Sequence, residues 1–257
     1  MTMNEELRFA KCDCCDEQVP FFTIGGVEFK SPCEKKSVAV KVRKEENAKQ
    51  QTREYIEQLR RKIPKNFHDA TFENDDGKDL NVTAVLQRFV DKFEDVRRDG
   101  LGLILYGPVG TGKTHMSMQI ANALVERQVS VVCTSLIDVI KMAQDFDNAD
   151  YWLSDLQKHK VIIIDDLGTH RSTQFADEQV YNFINDCYET KRVLIFTTNL
   201  TPSILQEASR DTANLAYARI YSRILERCHP VKCTTIRRAE NQTVYARIMY
   251  DLLREGA

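Results

Sequence analysis

The sequence lacks any apolar run long enough to cross a membrane, which takes about 18 to 20 consecutive apolar residues. Its first residues also lack the basic segment followed by an apolar stretch that marks a secretory signal. An excess of one charge is missing as well, because 36 basic residues nearly balance 38 acidic ones and leave a formal net charge of −2. We therefore expect a cytoplasmic protein without a membrane partner, in which any basic surface for nucleic acid is local.

Repeats and low-complexity tracts are absent too, and an apolar content of 42% is typical of a folded globular chain. A length of 257 residues accommodates one large α/β domain and a smaller appendage. We expect a cysteine-containing β-hairpin module over residues 1–40, a charged helical linker over 41–63 and the large domain over 64–257.

Within the large domain, apolar runs alternate with amphipathic helical stretches, which predicts a parallel sheet with helices on both faces. Strands are predicted at residues 101–106, 129–134, 161–164, 193–198 and 231–236. Apolar residues that recur every four positions predict two buried helix faces. One carries Met116, Ile120 and Leu124, and the other carries Val180, Ile184 and Tyr188. The fold class is therefore α/β with a five-stranded parallel sheet.

A glycine-rich loop follows the first of these strands and precedes a helix. Its residues are Gly107, Pro108, Val109, Gly110, Thr111, Gly112, Lys113 and Thr114. Glycines let the backbone curl until successive N–H groups point inward, and the helix adds the positive end of its dipole. We expect a phosphate cradle in which Lys113 meets the β- and γ-phosphates and the Thr114 hydroxyl joins a Mg²⁺ shell. A chance match in a glycine-containing turn is the alternative.

Two carboxylates and an amide end the next strands of the predicted sheet. Asp165 and Asp166 follow the strand at 161–164, and Asn199 follows the strand at 193–198. We expect Asp165 to hold Mg²⁺ and Asp166 to polarise an attacking water. Asn199 is a candidate sensor, since a neutral amide can bond the γ-phosphate and the water; a helix cap is the alternative. Arg219 and Arg223 share one face of a later helix, where surface ion pairs are the other interpretation.

Four segments together carry a resemblance to a known family. They are Tyr-Gly-Pro-Val-Gly-Thr-Gly-Lys-Thr-His at 106–115, Ile-Ile-Asp-Asp-Leu-Gly at 163–168, Phe-Thr-Thr-Asn-Leu at 196–200 and Arg-Ile-Tyr-Ser-Arg-Ile at 219–224. Over residues 64–238 the chain resembles the DnaC/DnaI replicative-helicase loaders and the related IstB-type transposition helper ATPases. The resemblance implies an AAA+ P-loop ATPase that binds ATP and Mg²⁺, with His115 in the nucleotide-binding set.

The same resemblance implies head-to-tail assembly, in which one subunit's arginine reaches the γ-phosphate bound by its neighbour. Arg223 matches this position best and Arg219 is the second choice. Asp166 stands where most AAA+ proteins have Glu, which implies slow hydrolysis. The second-sensor arginine falls loosely on Arg237 or Arg238.

The resemblance also gives candidates for ligand contacts outside the phosphate loop. Phe67 or Phe72 could wall the adenine, although packing alone would explain either ring equally well. Single-stranded DNA would contact Phe146, Thr173 and Phe175, because unpaired bases stack on aromatic rings. Packing is the alternative for both phenylalanines of that set.

Half of the eight cysteines lie within the first 33 residues. Cys12 and Cys15 have the spacing of a metal knuckle, and a hairpin turning at Gly25-Gly26 would return Cys33 to them. These three are candidate Zn²⁺ ligands. Cys14 could be the fourth, but we expect strain if Cys14 and its neighbour Cys15 both bind the metal. Exposed or reactive thiols are the alternative.

The function expected from these features is an ATP-dependent loader that delivers a hexameric replicative DNA helicase onto single-stranded DNA. A cysteine module suits partner docking, which favours the loader. A transposition helper acting on double-stranded DNA shares all the core motifs and is the closest alternative. A metabolic P-loop kinase is a third possibility, but it would have no use for Asn199 and Arg223 at these positions.

Overall fold

The computed structural model of the protein describes residues 8–12, 14–15, 17–24, 27–75, 77, 79–145, 149–169, 173–212 and 214–234. The chain divides into two compact units, Met1–Tyr55 and Ile56–Ala257. None of the helices in the described ranges is both long and apolar enough to span a bilayer.

The first unit contains a small antiparallel sheet of three strands, β1 (Arg8–Lys11), β2 (Gln18–Ile24) and β3 (Val27–Lys30), in that order. Strands β2 and β3 pair antiparallel up to Ile24 and Val27, and Gly25 and Gly26 lie outside the described residues. The hairpin is confirmed, and β1 is an additional strand. Helix α1 (Glu34–Arg60) follows the sheet and begins before the predicted linker helix at residue 41.

The second unit alternates strands and helices. After a short 3₁₀ turn (Lys65–Phe67), its elements are α2 (Leu80–Asp91), α3 (Phe93–Asp99), β4 (Gly102–Tyr106), α4 (Lys113–Glu126), β5 (Val131–Ser135), α5 (Leu136–Gln144), α6 (Ala149–Lys158), β6 (Val161–Leu167), α7 (Gln174–Glu189), β7 (Val193–Thr198), α8 (Pro202–Ala208), α9 (Leu215–Arg227) and β8 (Cys228–Lys232).

The five strands of this unit form one parallel sheet, as predicted, and their order is β5-β6-β7-β4-β8. Its two faces carry separate cores, one around Ile120 and Leu124 of α4 and the other around Phe183 of α7. Parallel strands end at a common edge, so the loops after β4, β6 and β7 meet at the carboxyl edge of the sheet. That edge holds the glycine-rich loop.

The last predicted strand needs a correction. Strand β8 begins at Cys228, three residues before the predicted start, and follows α9 directly; the predicted end at Ile236 lies outside the described residues. The sequence pattern does not indicate this start, because Pro230 interrupts the apolar run. An edge strand tolerates proline, since one side of its backbone needs no partner. Strand β5 similarly starts at Val131, because the Val129 N–H still closes α4 on the Leu124 carbonyl at 3.0 Å.

Candidate functional site at the carboxyl edge of the sheet

Two positions of the glycine-rich loop require glycine. Gly112 precedes α4 with φ 81°, a left-handed conformation that favours glycine. A Cβ atom on Gly107 would lie 2.1 Å from the carbonyl oxygen of Cys233, so the close approach of these two segments requires glycine. Thr111 is buried and donates its hydroxyl to the Pro108 carbonyl at 2.9 Å, which ties the loop to itself. The loop therefore ends at the amino terminus of α4, where phosphate binds readily.

Lys113 is 7% exposed and points back into the loop. Its ammonium donates to the carbonyls of Gly107 at 3.0 Å and Pro108 at 2.9 Å, and to Asn199 Oδ1 at 2.8 Å. Burial lowers the pKa of this ammonium, against the charges of Cys233, Asp166 and Asp165, which raise it. A bound phosphate would add a negative partner at this buried cation. The structure thus brings together Lys113 and the predicted sensor Asn199.

Asp165 faces the first turn of α4. Both of its carboxylate oxygens accept from the Thr114 hydroxyl, at 2.9 and 3.2 Å. Thr197 of β7 donates its own hydroxyl to Asp165 Oδ1 at 2.5 Å. A hydroxyl and a carboxylate held side by side at a phosphate loop are hard oxygen donors of the kind that Mg²⁺ prefers.

Asp166 lies in a β-bulge between β6 and β7. Ile164 pairs with Phe196 and Leu167 pairs with Thr198, so two residues of β6 oppose the single residue Thr197. Asp166 adopts φ 56° there, an uncommon conformation for a residue other than glycine. The Thr197 hydroxyl also accepts the Asp166 N–H at 2.9 Å and so stabilises the bulge. Bulges beside active sites re-aim a side chain, and this one turns Asp166 to solvent next to Asp165.

Desolvation, and then the charge of Asp165, raise the pKa of Asp166, while the Lys113 charge opposes them. A carboxylate whose pKa lies above its usual range is a better proton acceptor than an ordinary Asp. Thr197 bonds the Asp165 carboxylate and the Asp166 backbone N–H, yet sequence reasoning gave it no role within the Phe-Thr-Thr-Asn-Leu segment. Its position opposite an Asp-Asp pair on the neighbouring strand is the only signal that could have found it.

A buried amide network, also missed by sequence reasoning, fixes the segment before the sheet to α4. Asn122 donates to the carbonyls of Phe67 and Ala70, each at 2.8 Å, and Gln119 donates to Thr71 at 3.0 Å. Phe67 and Phe72 pack partly buried against the core. Their packing is thus observed, and a role as the adenine wall stays a prediction.

The predicted DNA-contact residues are placed only in part. Thr173 caps α7, its hydroxyl accepting the Ala176 N–H at 3.2 Å, and Phe175 on the first turn is 36% exposed. Phe146 lies outside the described residues. Thr173 has a structural role that would explain its presence, and the DNA contact stays a prediction.

The two candidate trans-acting arginines both lie on α9. Arg219 is exposed, whereas Arg223 is half-buried and lines a small pocket together with Gly100, Arg192 and Cys228. These three neighbours precede or begin β4, β7 and β8, so the pocket lies at the amino edge of the sheet. The full length of strand β4 lies between this edge and the phosphate loop, and a strand rises about 3.3 Å per residue. Arg223 therefore points away from Lys113 of its own chain. Arg237 and Arg238 lie outside the described residues.

The amino-terminal unit brings four cysteine sulfurs together, with Cys12, Cys14, Cys15 and Cys33 all within 4.8 Å of one another. Cys14 Sγ lies 3.3 Å from Cys12 Sγ and 3.1 Å from Cys33 Sγ. Tetrahedral zinc with Zn–S bonds of about 2.3 Å holds its sulfurs about 3.8 Å apart, so the cluster fits that ion. Cys14 and Cys15 both lie in this cluster, and the expected strain when both bind a metal stays a prediction. A backbone N–H from Cys14 lowers the pKa of Cys12 to about 6.

Comparison with known proteins adds a family to this geometry. A family model described as IstB-like ATP binding protein matches residues 33–242. The replicative helicase loader DnaI of Bacillus subtilis (strain 168) is 26% identical over 174 residues, which cover 63% of this chain and 56% of that protein. An ATP-binding protein in an insertion sequence of Mycobacterium tuberculosis is 30% identical over 176 residues, covering 63% of this chain and 65% of its own. The chain thus matches less than two thirds of the length of either relative.

The solved structures agree with the fold. A crystal structure of DnaI has a TM-score of 0.55 and 25% identity, and the match covers 68% of this chain and 94% of that one. The predicted fold, a five-stranded parallel sheet flanked by helices with a small antiparallel sheet before it, is confirmed.

Proposed function

This chain belongs to the IstB-like ATP binding protein family, and we propose that it is an ATPase whose site is completed between two copies of the chain and which loads a replicative DNA helicase onto single-stranded DNA. The observation that carries the ATPase activity is the constellation at the carboxyl edge of the sheet. The Lys113 ammonium contacts Asn199 at 2.8 Å, while Thr114 and Asp165 are bonded at 2.9 Å. Those four groups surround the mouth of a phosphate loop.

Each of these residues has a role that its contacts support. The loop amides and Lys113 bind the β- and γ-phosphates, and Thr114 with Asp165 would hold Mg²⁺, which when bound would act as a Lewis acid and offset phosphate charge. Asp166 accepts a proton from the attacking water, and Asn199 orients that water. The acidity of Asp166 is already weakened by its surroundings, which suits a base.

Arg223 is the proposed arginine that acts in trans. Its position at the amino edge of the sheet supports this role, since the phosphate loop of the same chain opens at the opposite edge. A γ-phosphate that reaches Arg223 would therefore be bound by another molecule, and we propose a second copy of this chain. An arginine supplied across such an interface neutralises charge that builds up on the transferred phosphoryl group. Arg219 remains the alternative donor.

The loader function rests on the relatives and on the amino-terminal unit. DnaI is named a replicative helicase loader, and the family match begins at residue 33, after Cys12, Cys14 and Cys15. Three of the four cysteines therefore lie outside the part shared with the family, and Cys33 is its first residue. A three-stranded sheet has little core of its own, and zinc bound by the four sulfurs would stabilise it as a docking module. Thr173 and Phe175 are the proposed contacts with single-stranded DNA.

A transposition helper function is the second candidate, because the insertion-sequence protein has the higher identity, 30%. The two functions differ in partner and in DNA. We expect the immobilised full chain to capture a replicative helicase, and single-stranded DNA to stimulate hydrolysis more than duplex DNA does.

The cysteine cluster allows a matched test of the docking role. Cys33→Ser should abolish helicase capture, whereas Cys187→Ser, at a buried cysteine of the second unit, should preserve it. Capture of a transposase instead, with stimulation by duplex DNA, would establish the second function. Helicase capture that survives Cys33→Ser would remove the cluster from docking.

A further inference from the structure

Two tyrosines of α7 hold two arginines of α9. The guanidinium carbon of Arg223 lies 4.9 Å from the ring centre of Tyr181 and 5.5 Å from that of Tyr188. The guanidinium of Arg227, one helical turn further on, lies 3.9 Å from the ring centre of Tyr188. These four side chains form what we call the arginine–tyrosine stack. The Tyr188 hydroxyl donates to Glu226 Oε1 at 2.6 Å, which fixes the orientation of the shared ring.

The stack fixes Arg223 without neutralising it. Surface arginines are commonly held by carboxylates, which cancel the charge and occupy the N–H donors. Within the described part of the chain, Arg223 has no carboxylate in ion-pair range, and one terminal nitrogen, Nη1, is buried without an acceptor. An aromatic ring contacts the flat face of a guanidinium, so it occupies none of the N–H groups in the plane of the guanidinium.

The surroundings of the stack favour an anion. Arg227 Nη1 is likewise buried without an acceptor among the described residues. Arg192 lines the same pocket and gives one N–H to the His159 carbonyl at 2.8 Å, and among the described residues it forms no ion pair with a carboxylate. Three guanidinium groups thus border one small pocket. Repulsion between them decreases when a multiply charged anion approaches.

We infer that Tyr181 and Tyr188 are positioning residues that hold Arg223 with its donors directed to the terminal phosphate of a nucleoside triphosphate bound by a second copy of this chain. Arg227 acts through Tyr188, whose ring it holds from α9. This inference rests on the proposed role of Arg223 in trans. It adds that the cation is fixed in advance by aromatic faces, so that little conformational freedom is lost when the neighbour's phosphate arrives.

The test separates positioning from simple packing. Tyr188→Leu keeps an apolar side chain but removes the ring face, and Tyr188→Phe keeps the ring but removes the hydroxyl. We expect Tyr188→Leu to lower kcat for ATP about 2- to 30-fold, the range to which cation–π energies convert. KM and the affinity for an ATP analogue should stay within about twofold, because the chain's own phosphate loop is at the other edge of the sheet. Tyr188→Phe should recover most of the lost kcat, and Tyr181→Leu should resemble Tyr188→Leu.

Two outcomes overturn the inference. One is a wild-type kcat in the Tyr181→Leu/Tyr188→Leu double variant. The other is an equal loss of kcat in Tyr188→Leu and Tyr188→Phe, accompanied by a lower melting temperature in both, which would indicate that the ring contributes packing alone.

Arg223→Ala distinguishes failure of the inference from failure of the proposed function. Normal turnover by Arg223→Ala would exclude Arg223 as the trans-acting arginine, whatever the result for the tyrosine variants. An inactive Arg223→Ala beside a fully active double tyrosine variant would leave the proposed function standing and refute the stack. A mixture of two variants gives a further test. Lys113→Ala subunits keep an intact stack, and the inference is supported when they restore hydrolysis by Tyr188→Leu subunits.

Discussion

Replacing Thr197 by valine tests the hydroxyl that bonds the Asp165 carboxylate and the Asp166 backbone N–H. The substitution keeps the branched shape of the side chain and removes one hydroxyl. That hydroxyl is completely buried, donates to Asp165 Oδ1 and accepts the Asp166 N–H at 2.9 Å. A hydrogen bond to a charged group contributes about 1.5 to 3 kcal/mol and a neutral one about 0.5 to 1.5 kcal/mol. We expect Thr197→Val to lower the free energy of unfolding by roughly 2 to 4 kcal/mol.

Chemical denaturation of the nucleotide-free protein in urea, followed by circular dichroism, measures this loss. Thr190→Val is the matched control, because the Thr190 hydroxyl is also hydrogen-bonded, to the Asp186 carbonyl, but the residue is exposed; we expect a change below about 0.5 kcal/mol. A second readout is the Mg²⁺ requirement of nucleotide binding. Loss of a group that orients a metal ligand typically weakens metal affinity about 10- to 100-fold. A variant with unchanged stability and unchanged Mg²⁺ dependence would refute the role given to Thr197.

Other predictions concern the remaining groups of the two sites. Lys113→Ala should abolish nucleotide binding, because the buried cation of the phosphate loop is lost; retained ATP affinity in an equilibrium titration would contradict the assignment. The pKa of Asp166 is raised, and a base acts only when deprotonated, so kcat should fall with decreasing pH at a higher pH than for an ordinary Asp. Asp166→Asn should lose turnover at every pH, and a pH profile of the wild type that is flat across the acidic range would argue against this base. Protein purified without chelator should contain stoichiometric zinc that Cys33→Ser releases, and metal analysis that finds none would retire the cluster as a zinc site.

The sequence pattern predicts the strands and the phosphate loop because both are local features. Continuous apolar runs mark buried parallel strands, and the loop needs glycine where its backbone turns left-handed, as at Gly112. The same locality explains the error at β8. Cys228 and Pro230 show no strand pattern, yet Cys228 pairs with Gly102, whose missing side chain leaves room for the cysteine sulfur.

Features that depend on neighbours in space were beyond the sequence. Tyr188 has the spacing of a core residue, but α9 places two arginines against its ring. Thr197 shows its importance only through the bulge on the adjacent strand. No sequence pattern positioned Cys14 relative to Cys33, and the structure places their sulfurs 3.1 Å apart. In each case a second element, separated along the chain, determines what the side chain contacts.

Subunit mixing tests the central claim, a site completed between two copies, most directly. Lys113→Ala subunits keep Arg223 but lack the buried cation, and Arg223→Ala subunits keep the phosphate loop but lack the arginine. Each variant alone should hydrolyse ATP poorly, and an equimolar mixture should regain hydrolysis well above the sum of the two. A mixture that stays as inactive as its components, although both variants assemble with wild-type protein, would contradict the shared site.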